Sequence, residues 1–203
     1  MKRPVLILIF MTMLLCAVMF VVIRKTPTPP PPRAVYTLGF TRPDSPEAGE
    51  TEAELCQWIA QTQHQLDVAA FDIDLPCVGE QLGLLKQKGV SVRVVTDSDH
   101  QTDLVQRLVQ TGVPVHFDER SAFMHNKFMV RDDLDVWTGS LNLTHNGVYR
   151  NNNNVVTFHN NDIARLYQAE FDELFAGQFG PTSPRQNLPA FVAPQDKKIE
   201  ILF

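Results

Sequence analysis

Strand-like apolar runs alternate with amphipathic helical segments from Ala34 to Phe175, and that order restricts the chain to a layered α/β fold. Ala34 to Thr41 reads as a first strand. Glu50 to Gln63 carries Leu55, Trp58 and Ile59 at helical spacing. Gln65 to Ile73 is a second strand, and Val78 to Lys88 a helix that stops at Gly89. Val90 to Thr96 is an apolar strand, Asp103 to Gln110 a short helix closed by Gly112, and Val113 to Phe117 another strand. Asn154 to Phe158 reads as a strand. Asn161 to Phe175 is an amphipathic helix built on Ile163, Leu166, Phe171 and Leu174. About 170 residues after position 33 bury an adequate single core.

The start of the chain has a different character. Val5 to Ile23 is nineteen residues with Thr12 as the one polar side chain, flanked by Lys2-Arg3 and Arg24-Lys25. A helix of that length reaches about 30 Å, enough to cross a bilayer core. A cleavable signal peptide is the competing reading. It wants a shorter apolar run and a small-residue cleavage site, which is missing here. The expectation is therefore a transmembrane anchor over residues 1–25, whose orientation the flanking charges leave open. Residues 26–33 follow as a stiff proline-rich linker. The domain is expected at 34–180, on the extracytoplasmic side.

Residues 34–203 carry a net charge of −10, which argues against nonspecific wrapping of nucleic acid. A local basic cleft from Lys127, Arg131 and Arg150 remains compatible with that balance. Cys56 and Cys77 read equally well as a disulfide in an oxidising compartment or as two thiols. No cysteine–histidine spacing points to zinc.

The chemistry is concentrated between residues 125 and 142. His125 and Lys127 are two apart, so on a strand they share a face while Asn126 points away. Ser140 and Asn142 repeat the spacing, and a hairpin at Arg131-Asp132-Asp133 can bring the two pairs together. An imidazole among hydrogen-bond donors, without an acid cluster, suits a phosphate and attack by histidine.

Written out, the spacing is H-x-K-x4-D-x6-G-S-x-N, formed by His125, Lys127, Asp132, Gly139, Ser140 and Asn142. In this motif the chain resembles the phospholipase D superfamily, over roughly Ala34 to Phe179. The resemblance implies a mixed sheet flanked by helices. It implies hydrolysis of a phosphodiester through a phosphohistidine, with neither metal nor cofactor. By position, His125 is nucleophile or acid, and Lys127 and Asn142 bind nonbridging oxygens. Ser140 donates to phosphate or orients its neighbours, and Gly139 permits close approach. Asp132 belongs to the motif set but reads as structural, and His145 is a candidate to line the cleft. Many single-motif relatives have a glutamate where this chain has Asn153.

The family's chemistry uses a second motif histidine, and this chain has one copy of the motif. The resemblance implies a homodimer, or a second repeat whose first strand begins at Ile199 within the segment 181–203. A strand that completes the sheet is the alternative for that segment. The substrate expected from sequence is nucleic acid first, as an endonuclease, and phospholipid second, including phosphatidylcholine-type lipids. The reading from another class is a catalytically silent, membrane-tethered binding module.

Overall fold

The computed structural model describes residues 35–182, 191–193, 197–201 and 203. The expected anchor and proline-rich linker lie outside them. Among the described residues no helix is long and apolar enough to cross a membrane.

Seven strands form one sheet. They are β1 (Tyr36–Phe40), β2 (Gln65–Ala70), β3 (Ser91–Asp97), β4 (Val115–Asp118), β5 (Lys127–Arg131), β6 (Asp135–Gly139) and β7 (Asn154–His159). Their spatial order is β1-β7-β6-β5-β2-β3-β4. The β2-β3-β4 half is parallel and the β2-β5-β6-β7-β1 half antiparallel. Helices α1 (Glu50–Ala60), α2 (Pro76–Gln87), α3 (Asp103–Gln110), α4 (His145–Tyr149) and α5 (Asn161–Phe175) accompany it. The mixed, helix-flanked sheet is the architecture expected from sequence.

The pleat assigns each strand residue to one of two cores. Leu66, Val68, Val92, Val94, Met129, Trp137 and Val155 pack with α1 to α4. Ala69, Val95, Phe128, Val130, Val136 and Phe158 pack with Ile163, Tyr167, Phe171 and Leu174 of α5. Four helices therefore cover one face and α5 the other. Helix α2 starts two residues before its apolar pattern because Pro76 suits the first helical turn. Helix α4 has no counterpart in the sequence reading. It is five residues long, contains Gly147, and is too short to show a period.

The hairpin between β5 and β6 turns at Asp132 and Asp133, both at φ 53°, which marks a type I′ turn. Arg131 beside it is buried. It pairs with Asp135, donates to the Trp58 carbonyl at 2.6 Å and lies over the Trp58 ring. It is therefore unavailable to the basic cleft that the sequence allowed.

The segment near position 199 does not join the seven-stranded sheet. Lys197–Ile199 (β9) pairs antiparallel with Phe191–Ala193 (β8) in a separate ribbon. Ile201 is buried in the α5 core, and the Phe203 ring meets Tyr167 at 5.0 Å.

Cys56 on α1 and Cys77 on α2 form a disulfide, with Cα atoms 6.1 Å apart. Their separation of 21 residues corresponds to about 3 kcal/mol of loop-closure stabilisation. Denaturant unfolding of the Cys56→Ser/Cys77→Ser protein is expected to show that loss, with reductant having no further effect on it.

Candidate active site

The strand registers bring the motif to one end of the sheet. Ala70 at the end of β2 faces Lys127 at the start of β5, and Gly139 at the end of β6 faces Val155 near the start of β7. The carboxyl ends of the parallel strands β2 and β3 open at the same end, where ligands of α/β sheets bind.

His125 precedes β5 and Lys127 begins it. Both rest on Phe71, the residue that follows β2. The His125 ring lies 4.8 Å from the Phe71 centroid in an edge-on contact, and the Lys127 ammonium lies 5.3 Å from that centroid. Asn126 between them serves the other face, where its side chain hydrogen-bonds the buried Glu170 of α5. Its carbonyl accepts from the Phe71 N–H at 3.2 Å, extending the β2–β5 pairing by one step.

The electrostatics favour a neutral imidazole beside a charged amine. Burial first, and the Lys127 charge second, hold His125 below its ordinary value. Burial alone brings Lys127 down to about 8. The Lys127 ammonium donates to the His125 carbonyl at 2.9 Å, which keeps the pair together. Among the described residues neither ring nitrogen of His125 has a hydrogen-bond partner, so the imidazole is open to a substrate.

The second half of the motif lines the same end. Ser140 donates to the Asn153 side-chain oxygen at 2.9 Å and accepts from the Asn154 N–H at 3.1 Å. Asn153 also donates to the Gly147 carbonyl at 2.8 Å. Its amide is thus engaged with Ser140 and α4, not with the His125 imidazole. The Asn142 side-chain oxygen is buried without a hydrogen-bond partner among the described residues. Gly139 sits at φ 144°, and a Cβ there would strike the Asn154 carbonyl.

One of the sequence-derived residues stands elsewhere. Asp132 is at the opposite end of β5, about 17 Å of extended chain from Lys127. Its carboxylate accepts backbone N–H groups of Gln63, His64 and Gln65 at 3.0, 2.7 and 3.0 Å. Those three donors occupy its carboxylate far from the imidazole, so Asp132 has a structural place and no catalytic one. His145 opens α4, where Asp74 accepts its N–H at 2.6 Å and its ring lies on Tyr149 at 4.7 Å.

Sequence reasoning missed four residues at this end: Phe71, Asp72, Asp97 and His100. The His100 ring packs on Phe71 at 4.2 Å, and its Nδ1 lies 3.5 Å from an Asp72 oxygen. Burial pushes the Asp72 carboxyl up, an effect that His100 opposes. Asp97 is buried, and accepts the N–H groups of Met124 at 2.8 Å and Asp99 at 2.9 Å. All four follow or close a parallel strand, the signal that could have flagged them. No three His, Cys, Asp or Glu side chains among the described residues gather as a metal site.

Comparison with known proteins agrees with this geometry. The family model described as "Cardiolipin synthase, PLD-like domain" matches residues 55–175. The mitochondrial cardiolipin hydrolase of Homo sapiens is 32% identical over 140 residues, covering 68% of this chain and 55% of that protein. That of Xenopus tropicalis is 32% identical over 141 residues, covering 68% of this chain and 67% of that one. The chain thus spans little more than half the length of the human relative. Among solved structures, the phospholipase D family member Nuc from Salmonella typhimurium superposes with a TM-score of 0.60 at 23% identity, over 68% of this chain and 91% of that one. NucT from Helicobacter pylori gives 0.60 at 14% identity, over 70% and 96%. Those two likenesses speak for the fold alone. The chain belongs to the phospholipase D superfamily.

Replacing Asp132 by Ala is expected to lower stability by about 1–3 kcal/mol through the lost charge-assisted hydrogen bonds. Turnover per folded molecule should stay within about twofold, because the site is at the other end of the sheet. Urea unfolding and an activity assay on the same sample separate the two effects.

Proposed function

We propose that this chain hydrolyses phosphodiesters without a metal ion, through a phosphohistidine formed on His125. The observation that carries the reading is the neutral-leaning imidazole of His125 held beside the Lys127 ammonium on Phe71, at the open end of the sheet. His125 attacks phosphorus. Lys127 neutralises the nonbridging oxygens. The Asn142 side-chain N–H donates to a nonbridging oxygen, and Ser140 is held in place by Asn153. Water then releases the phosphoryl group. A second imidazole must handle the protons, and one source is a second copy of this chain paired two-fold at the site.

The substrate we favour is a phospholipid diester, which reverses the order drawn from sequence alone. The curated relatives carry the name cardiolipin hydrolase, which supports that order. A nucleic-acid reading draws on Phe123, 58% exposed and 5.3 Å from Phe71, a ring on which a base can stack. We also place the domain on an oxidising, extracytoplasmic side behind its N-terminal anchor; the Cys56–Cys77 bridge supports that placement. Labelling of Lys side chains by a membrane-impermeant amine reagent in intact cells tests it, and a fully protected domain would overturn it.

The central test is turnover of bis(p-nitrophenyl) phosphate in EDTA. His125→Asn is expected to lose at least about a thousandfold. kcat/KM should rise with pH through a value below 6.5, where His125 becomes neutral, and fall through about 8 as Lys127 loses its proton. Equal activity of wild type and His125→Asn would remove the reading. Run side by side, anionic phospholipid vesicles should be cleaved faster than single-stranded DNA or RNA.

A further inference from the structure

We propose that the outer edge of β1, with the groove between β1 and α1, binds an extended segment of a partner protein in which basic and apolar residues alternate. The guest becomes an eighth strand of the sheet. This inference is independent of the chemistry assigned to His125.

The strand register leaves that edge open. β1 ends the strand order and has β7 as its one neighbour in the sheet. The Val35 carbonyl accepts from the His159 N–H at 2.8 Å, and the Thr41 N–H donates to the Asn153 carbonyl at 3.0 Å. Residues of an antiparallel strand turn their N–H and C=O groups to alternate sides. The odd-numbered residues therefore face β7, and Tyr36, Leu38 and Phe40 point theirs outward. Those outward groups have no hydrogen-bond partner among the described residues. Uncovered edges are ordinarily blunted by lysine, proline or a bulge. β1 reads Tyr-Thr-Leu-Gly-Phe in unbroken register, and Leu38 and Phe40 are 60% and 65% exposed.

The two faces beside the edge differ in character. Leu38 stands opposite Val156, on the α5 side of the sheet, and Phe40 shares that side. Gly39 stands opposite Val155, on the α1 side, and Thr37 shares that one. On the α1 side a groove of about 630 Å³ lies between the sheet edge and the helix. Glu47, Glu50 and Glu54 line it, against the single guanidinium of Arg42. None of these three carboxylates has an ion-pair partner among the described residues.

These features set the chemistry of the guest. Side chains of an added strand alternate between the faces. Every second one lies over the acidic groove and suits Lys or Arg. Those between lie beside Leu38 and Phe40 and suit Val, Ile or Leu. Main-chain hydrogen bonds hold such a strand, and the side chains select it. A second β1 is a poor guest at this edge, because its own groove would bring three more carboxylates to the junction.

Peptide titration and amide exchange on the full-length chain test the proposal. The probe is Arg-Val-Arg-Val-Arg-Val-Arg, and its control holds the same residues in blocks, Arg-Arg-Arg-Arg-Val-Val-Val. The alternating peptide should bind at least about tenfold more tightly than the control and slow exchange over residues 36–40 by at least about tenfold. Glu50 and Glu54 are exposed, so Glu50→Lys/Glu54→Lys leaves the core intact. That variant should lose the probe by at least about thirtyfold and prefer Glu-Val-Glu-Val-Glu-Val-Glu. Equal affinity for the two basic peptides would reduce the effect to charge attraction and defeat the proposal. It also fails if the probe does not bind, if it binds without slowing exchange over 36–40, or if the charge-reversed variant keeps its affinity. Exchange slowed by raising the protein concentration alone would hand the edge to a second copy of the chain and overturn the assignment of a partner.

Discussion

The antiparallel pairing of β2 with β5 is the interaction on which the rest of the molecule depends. It joins the parallel half of the sheet to the antiparallel half, so both cores run continuously across it. Its last step, Phe71 to Asn126, sets an aromatic ring under the imidazole and the ammonium. A slip of one residue would exchange the faces of β5. Lys127 would then point toward α5, and Phe128 would leave the core it shares with Tyr167. The apolar content of β5 therefore protects the chemistry indirectly, because the register that buries Phe128 and Val130 also presents Lys127.

Local polarity then gives these groups useful protonation states. A lysine taken out of water loses part of its preference for charge, and burial first and the neighbouring cation second lower that of the histidine. Burial moves Lys127 toward neutral pH, and burial together with the Lys127 charge moves His125 further below it. The imidazole keeps its lone pair, while the amine still carries its proton at pH 7.

Much of this was legible in the chain. The α/β class, the main strands and the helices over 103–110 and 161–175 follow from apolar periodicity, which local sequence carries. The His125–Lys127 pair follows from two-residue spacing. What escaped depends on contacts between distant segments. Asp132 shares the motif but caps residues 63–65, a partner that spacing cannot reveal. Arg131 looked free and is buried on Trp58. Asn153, which stands where many single-motif relatives have a glutamate, receives the Ser140 hydroxyl. Helix α4 failed for a simpler reason, since five residues cannot display a 3.6-residue repeat.

The double grip of Asp97 has a consequence for how such a site can diversify. Met124 is anchored from β3, and Asp118 holds Arg120 at the other end of the same rim segment. The stretch from Ser121 to Phe123 is suspended between two fixed posts. Phe123, exposed and 5.3 Å from Phe71, lies in that span, so a change in its length alters the rim beside Phe71 while both anchoring carboxylates keep their hydrogen bonds.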